Sequence, residues 1–408
     1  MYVERLELAD FRSYTRARLD LGPGVEVLVG ANAQGKTNLL EALHYLATGA
    51  SHRVGNDAPL VRVGADAAVI RAVVRADGAS VSARAVTVEV EVRPSGRNRA
   101  KVNGQAQARV RDAFGRLRGV LFAPEDLQLV VGNATQRRRF LDDLLAQRRP
   151  AYLAARQDYD RVLRQRNALL RTARPRPSAA PPDPSLQTWT QALIAAGATL
   201  TAARIAAVNA LAAPTVEAYR MLAAPVPGSP SAPQSSASQP AVSPTLAYQL
   251  STGRRVAACP GASIPDPGVL AQELQASLAR LAAAELERGV TLVGPHRDDL
   301  YLGVGELPAK GFASHGECWS LALALRLAAR NVLGESGEAP IVMLDDVFAA
   351  LDESRRARLA EQCTAFDQVL VTAAVAEDVP LSGRRHLVHG GSVTSPAAAQ
   401  HGAGGVTR

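Results

Sequence analysis

Residues 30–37 read Gly30-Ala31-Asn32-Ala33-Gln34-Gly35-Lys36-Thr37. This spacing of two glycines, a lysine and a hydroxyl can hold a polyphosphate. The glycines let backbone N–H groups turn inward around phosphate oxygens, and a following helix adds a partial positive charge beneath them. Lys36 would reach the β- and γ-phosphates, the Thr37 hydroxyl would hold Mg2+, and Asn38 carries the loop into the helix. An ordinary glycine-rich turn would not explain the apolar run Val25–Val29 before the loop or the helical spacing of Thr37–Leu46 after it. The chain has only three lysines, Lys36, Lys101 and Lys310, so abundance does not account for one at this position.

A second stretch, Pro340 to Asp346, is an apolar run that ends in two carboxylates. Taken alone, it is a strand with solvated acids at its end. Beside a phosphate loop it suits a Walker B element: Asp345 holds Mg2+ through water, and Asp346 orients or deprotonates the attacking water. Leu351 and Asp352 follow six residues on, where the D-loop of an ABC-type ATPase falls. Upstream, Ser314 and Gly316 open the apolar helix Cys318–Leu333. In isolation these two are an N-cap serine with a glycine. The order of phosphate loop, serine-glycine, paired aspartates and Asp352 favours a variant ABC signature, which would offer a second anion site at a helix N-terminus.

The elements that must position these residues follow from periodicity. Strands are expected at Val3–Leu8, Ala17–Leu21, Val25–Val29, Val81–Val92 and Gly119–Ala123, with an Asn103-Gly104 hairpin turn. Helical spacing runs from Thr135 to about Thr172, with Pro150 suited to open a second helix. After the proline-rich 173–185 it resumes over Leu186–Leu222. Residues 223–242, built from Ala, Pro, Ser and Gln, read as a loose linker. A strand at Leu246–Leu250 and a helix at Val269–Arg288 follow. Further strands are expected at Val290–Val293, Ile341–Leu344 and Gln368–Val371, and helices at Glu317–Leu333 and Ser354–Cys363. Sheet-type sequence thus stands at both ends and helix in the middle. The expected fold is α/β: an ABC-type P-loop ATPase head (1–124 and 289–389) with an inserted helical domain (125–288), followed by a disordered tail (390–408).

The formal net charge of +8 and isoelectric point near 9.8 suit a polyanionic partner, although arginine-rich compositional drift gives the same balance. Cys259, Cys318 and Cys363 are widely spaced, which excludes a disulfide framework or a cysteine metal cluster. The N-terminus lacks a signal-peptide pattern and no apolar run is read as membrane-spanning, so a cytoplasmic protein without a membrane partner is expected.

Several stretches together resemble the bacterial RecF family. They are Leu8 to Tyr14, the phosphate loop with Asn38, Phe122 to Leu127, Arg137 to Asp142, Leu163 to Asn167, Gly294 to Leu300, the serine-glycine signature and the Asp345-Asp346 strand. The resemblance runs from residue 1 to about 375, apart from the Pro/Ser-rich stretches. It implies a head similar to those of SMC proteins, and an ATP-dependent DNA-binding protein that forms a homodimer on ATP. It also implies action in recombinational gap repair, helping RecO and RecR load RecA. The DNA would be duplex or a single/double-strand junction, held through phosphates.

Three departures qualify that transfer. Asp346 stands where ABC ATPases usually carry Glu, a shorter reach that predicts slow hydrolysis. Thr372, not histidine, occupies the switch position after the strand Gln368–Val371. No glutamine marks the Q-loop plainly, Glu125 lying nearest with Gln128 as the alternative. Arg12, beside Ser13 after the first strand, is a candidate nucleotide contact by likeness to SMC-type heads. Arg137, Arg138 and Arg139 are candidate DNA phosphate contacts or, equally, a face paired with Asp142 and Asp143. Arg97, Arg99 and Lys101 flank the hairpin and read as basic contacts or as a solvated edge strand. His296-Arg297-Asp298 spells a kinase triplet, but no glycine-rich kinase loop or Asp-Phe-Gly accompanies it. A transporter-type ABC ATPase would need a membrane partner, and a metabolic P-loop kinase would need no signature. The basic charge, helical insert and RecF-like stretches disfavour both.

Overall fold

The computed structural model describes residues 1–76, 85–149, 151–172, 183–223, 243–335 and 337–395. Alternating apolar residues build the first layer. Strands β1 (Tyr2–Phe11) and β2 (Tyr14–Asp20) form a tight hairpin, and β3 (Gly24–Val29) leads through the phosphate loop into α1 (Lys36–Thr48). Strands β4 (Ala68–Arg75), β5 (Ala85–Val92), β6 (Arg99–Val102) and β7 (Gln105–Ala106) extend the hairpin into an antiparallel sheet ordered β2-β1-β4-β5-β6-β7. The Asn103-Gly104 turn joins β6 to β7 with both residues at positive φ, as a two-residue hairpin requires.

After β8 (Gly119–Phe122) the chain turns helical: α2 (Leu127–Val131), α3 (Ala134–Arg148), α4 (Ala151–Thr172) and α5 (Pro184–Ala223). Next come β9 (Pro244–Gln249), β10 (Arg255–Ala257), α6 (Pro267–Arg288), β11 (Asp299–Val304), β12 (Leu307–Pro308) and a short α7 (Ala309–Phe312). The long α8 (His315–Gly334) then returns the chain to β13 (Ile341–Asp345), α9 (Val347–Ala350), α10 (Glu353–Cys363), β14 (Gln368–Ala373), β15 (Arg384–His389) and β16 (Ser392–Thr394).

The second sheet is ordered β16-β15-β3-β14-β13-β8, and its members β15, β3, β14, β13 and the edge strand β8 run parallel. Residues 341–345 and 368–373 are buried throughout, the near-continuous apolar pattern of parallel strands covered on both faces. Helix α1 lies between the two sheets, with Leu39, Leu40, Leu43 and Leu46 at most 1% exposed. A second core runs from Val120 and Phe122 through the helices to Leu381. The fold is thus an α/β ABC-type head with inserted helices, as expected.

Four expectations need correction. Residues 290–293 form no strand, because side chains from the helices satisfy their backbone. Thr291 N donates to Asn167 Oδ1 (2.8 Å) and Leu292 N to Glu285 Oε1 (2.8 Å). The boundary at 288/289 falls inside a four-stranded sheet ordered β10-β9-β11-β12, in which β9 and β11 pair from Gln249↔Asp299 to Pro244↔Val304. Residues 390–394 are a turn and β16, paired with β15, rather than tail. Finally, α5 carries a stretch, Pro184–Leu222, long and apolar enough to cross a membrane. Its most apolar window is 56% buried inside the protein, against α8, α4 and α6, so it is a core helix here. Pro150, the proline-rich 173–182, the linker 224–242 and the last residues, 396–408, lie outside the described residues, as do positions 81–84 of the strand expected from Val81.

One buried ion pair ties α3 to α5. Arg204 Nη2 lies 2.8 Å from Asp142 Oδ1, and Arg204 Nη1 donates to the Pro295 carbonyl at 2.6 Å. Replacing Arg204 by Met leaves a buried carboxylate short of its main partner, which should cost about 3–5 kcal/mol. Urea denaturation of Arg204→Met should show that loss, whereas Arg161→Met on the exposed face of α4 should stay within about 0.5 kcal/mol of the parent.

Candidate functional site

The phosphate loop sits at the C-terminal edge of the parallel sheet. Gly35 caps α1 at φ 107°, with no side-chain cap and no acidic residue in the first turn, so the N–H groups there remain free for an anion. A Cβ on Gly30 would lie 2.2 Å from the Val388 carbonyl, so only glycine fits beside β15. Ala33 takes a left-handed φ of 64° to close the loop. Lys36 is 4% exposed and its Nζ donates to the carbonyls of Gly30 (2.7 Å) and Ala31 (3.1 Å), which holds the cation under the loop. Gln34 Oε1 accepts from Gly390 N (2.7 Å), and Asn38 Nδ2 donates to Ser13 Oγ (3.0 Å).

Strand β14 lies between β3 and β13 and brings three side chains to one point. Thr37 Oγ1 donates to Asp345 Oδ1 at 3.0 Å, and Thr372 Oγ1 donates to the same oxygen at 2.7 Å. Burial pushes the Asp345 carboxyl above the ordinary range. The two hydroxyls pull it back down, and the charges of Asp346 and Glu125 push it up again. A buried carboxylate beside a threonine hydroxyl is a hard-oxygen donor set suited to Mg2+. Asp346 stands at φ 50°, a left-handed position that aspartate tolerates better than most residues, with its N–H donating to Thr372 Oγ1 (2.9 Å). Asp346, Asn32, Phe348 and Thr372 line a cavity of about 200 Å3. Of the two Q-loop candidates, Glu125 stands in the turn after β8, where its charge raises the Asp345 pKa, and the uncharged Gln128 stands in α2.

Ser314 caps α8 in a reciprocal box: its N–H and Oγ–H both donate to Glu317 Oε2 (2.8 and 2.7 Å), and Glu317 N donates back. Both Ser314 and its neighbour Phe312, 65% exposed, face outward. Asp352 caps α10, accepting from Arg355 N (2.9 Å) and pairing with the Arg355 guanidinium. Arg355 also donates to Ser320 Oγ on α8 (2.9 Å), and a Cβ on Gly316 would meet its Nη2 at 2.6 Å. Arg355, absent from the sequence reading, therefore joins the Asp352 loop to the serine-glycine loop. Its one sequence signal is a cation three residues after a helix-capping Asp.

Two readings need correction. Arg12 does not point at the loop: it grips Glu41 of α1 with Nε (2.8 Å) and Nη2 (2.6 Å) and donates to the Pro59 carbonyl. Its neighbours make the loop contact instead, with Tyr14 OH donating to the Gly35 carbonyl at 3.1 Å. Arg137 is buried and clasps Asp299 of β11 with two bonds of 2.7 and 2.8 Å. Arg138 donates to the Asp298 carbonyl (2.7 Å), and Arg139 to the His52 carbonyl (3.2 Å) and toward Asp143 (3.8 Å). Arg137 is engaged inside the protein and so is no phosphate contact, while Arg138 and Arg139 are half-buried with protein partners of their own; Asp142 pairs with Arg204 and Arg156 instead. His296 is structural. The Thr291 carbonyl can only accept, so Nε2 bears the proton, while Nδ1 accepts from Tyr159 OH at 2.7 Å. Burial lowers its pKa to about 4 and keeps it neutral.

Fold and site together define a P-loop ATPase head, and the RecF/RecN/SMC N-terminal domain family matches residues 2–383. DNA replication and repair proteins RecF from Streptomyces avermitilis and Kineococcus radiotolerans are 48% and 47% identical to the chain. They cover 96% and 98% of it, and the match takes in 99% of each relative. The same protein from Cutibacterium acnes is 46% identical over 96% of the chain and 98% of its own length. A solved structure of the recombination mediator protein RecF-ATP in the RecFOR pathway superposes with a TM-score of 0.82 over 97% of the chain and 98% of its own, at 23% identity. The chain belongs to the RecF family.

Removing the Thr372 hydroxyl should expose how Asp345 is tuned. Thr372→Val deletes a bond that lowers the Asp345 pKa, so that pKa rises further. The carboxylate is the form that serves a metal, so Mg2+-dependent nucleotide affinity should fall as pH drops through that pKa. Titration across pH should place this loss at higher pH in Thr372→Val than in the parent. It should also weaken binding by roughly 10- to 150-fold, in line with about 1.5–3 kcal/mol for a hydrogen bond to a charged group.

Proposed function

We propose that this chain is an ATP-dependent DNA-binding protein of recombinational repair that works in the cytoplasm as an ATP-closed homodimer. The observation that carries this reading is a site split in two. The loop, Thr37 and Asp345 converge at one sheet edge, while Ser314 stands exposed at the start of another helix with its side-chain bonds confined to Glu317. In the proposed dimer, Gly30, Gly35 and the first turn of α1 cradle the phosphates of ATP, and Lys36 leaves its two carbonyls for the β- and γ-phosphates. Thr37 and Asp345 hold Mg2+, which neutralises phosphate charge. Asp346 orients the attacking water, and its short reach keeps hydrolysis slow. Ser314 and the Gly316 backbone meet the γ-phosphate held by the other copy, with Asp352 and Arg355 carrying the contact back to α10.

ATP favours the closed dimer because the γ-phosphate supplies contacts that ADP lacks. The head comprises the two large sheets and α1, and the helical unit extends from 125 through α8, past the boundary first read at 288. Relatives named for DNA replication and repair, and a neighbour from the RecFOR pathway, support a DNA-stimulated switch that acts with RecO and RecR to load RecA at gaps. A transporter ATPase has no comparable support.

Complementation tests the split site. Lys36→Met should lose ATP binding, and Ser314→Arg should bind ATP at parental affinity yet remain a monomer without activity. Mixed one to one, only hybrid dimers close, and each holds one site with both lesions and one with neither, so ATPase should recover to at most about half of the parent. No recovery on mixing, or an ATP-induced dimer of Ser314→Arg alone, would contradict the composite site.

A further inference from the structure

The antiparallel sheet changes electrostatic character toward its β7 edge. Across its middle, charged side chains cancel in register: Glu7 faces Arg18 and Arg71, Arg71 faces Glu89, and Glu89 faces Lys101. Arg71 pairs with both Glu7 and Glu89, and Lys101 with Glu89 at 3.1 Å. Beyond that ladder the balance fails. A groove of about 990 Å3 is lined by Arg93, Arg97, Arg99, Lys101, Arg109 and Arg111, against only Glu89 and Glu91. Both carboxylates are already committed, Glu89 to Arg71 and Lys101, and Glu91 to Arg93 at 2.6 Å. Arg97, Arg99 and Arg109 are exposed and make no ion pair among the described residues.

The backbone places these cations deliberately. Arg99 and Lys101 share one face of β6 while Ala100 between them is buried, and the hairpin returns the chain so that Arg109 and Arg111 line the same groove. Asn98 fastens the groove to the C-terminal end of α1, the helix that the phosphate loop opens. Its Oδ1 accepts from Arg93 N (2.9 Å), and its Nδ2 donates to Asp57 (2.7 Å) and to the hydroxyl of Tyr45 (3.1 Å) on α1. Among the described residues no aromatic side chain lines the groove, so these offer no platform for stacking unpaired bases. A row of arginine forks without such a platform matches phosphate oxygens instead.

We infer that this groove holds the phosphodiester backbone of duplex DNA, independently of sequence, at a position fixed by Asn98 relative to the phosphate loop. The inference rests on the DNA-binding reading above and names its surface, in place of Arg137–Arg139.

The test uses the full chain with Mg-ATP and a fluorescent duplex, read by anisotropy over a salt series. The groove variant carries Arg97→Ala, Arg99→Ala and Arg109→Ala. The control removes equal charge from other exposed sites with Arg161→Ala, Arg164→Ala and Arg288→Ala. Duplex affinity of the groove variant should fall at least tenfold, with a salt slope shallower by about 0.9 for each lost phosphate contact. The control should bind DNA like the parent, and ATP affinity should hold in both. Equal weakening of both variants, or an unaltered slope in the groove variant, would overturn the groove while leaving DNA binding standing. Intact duplex binding alongside lost binding of polyglutamate would reassign it to an acidic protein partner and overturn the inference. A parent chain that binds no duplex under any nucleotide would sink the DNA-binding reading itself.

Discussion

The site depends on the position of β14. Because this strand lies between β3 and β13, its last turn outward places the Thr372 hydroxyl between the phosphate-loop helix and the two aspartates. Asp345 is buried, and a buried carboxylate is tolerable only with donors around it. Thr37 and Thr372 are those donors, and each comes from a different strand or helix. The pairing registers Leu344↔Val371 and Asp345↔Thr372, on one side of β14, and Thr372↔Leu28, on the other, therefore fix the chemistry as much as the fold. A slip of one residue would turn Thr372 to the opposite face and leave Asp345 without that partner.

In the proposed dimer the helical unit is a rigid carrier for Ser314. Arg166 of α4 pairs with Glu285 of α6 at 2.6 Å and donates to Thr291, while Asn167 holds Thr291 from the other side. Asp298 accepts from Tyr248 OH and from Ser251, which fastens the loop before β11 to β9 and the turn beyond it. Helix α8 packs along α5 and delivers Ser314 at its exposed end. These polar residues are buried and mutually satisfied, so they supply rigidity and not chemistry. Arg355 is one of the points at which that carrier touches the head, through Asp352, Ser320 and the Gly316 position.

Much of this was legible in the sequence because the phosphate loop and the Asp345 strand impose local patterns: a glycine spacing in one case and an apolar run ending in acids in the other. The order of the signature, the aspartates and Asp352 was equally local. What escaped was decided by tertiary partners. Residues 290–293 have strand-like composition, yet Asn167 and Glu285 take their backbone donors. The arginine triplet at 137–139 has the look of a phosphate contact, but Asp299 lies 162 residues away from Arg137 and no local pattern announces it. Arg12 was lost to Glu41 for the same reason. Strand β4 alternates buried and open positions in the fold, but its residues are a nearly continuous apolar run, broken by Arg71, that periodicity alone does not tell from a buried helix segment; pairing with β1 and β5 makes it a strand.

In the proposed mechanism, ATP closes two copies of this chain around a site that neither copy completes alone. Light scattering of the parent chain with Mg-ATP, with Mg-ADP and without nucleotide tests it directly. The account predicts a doubling of mass with ATP only, lost again as ATP is consumed. A mass that stays monomeric with ATP, or that doubles equally with ADP, would contradict it.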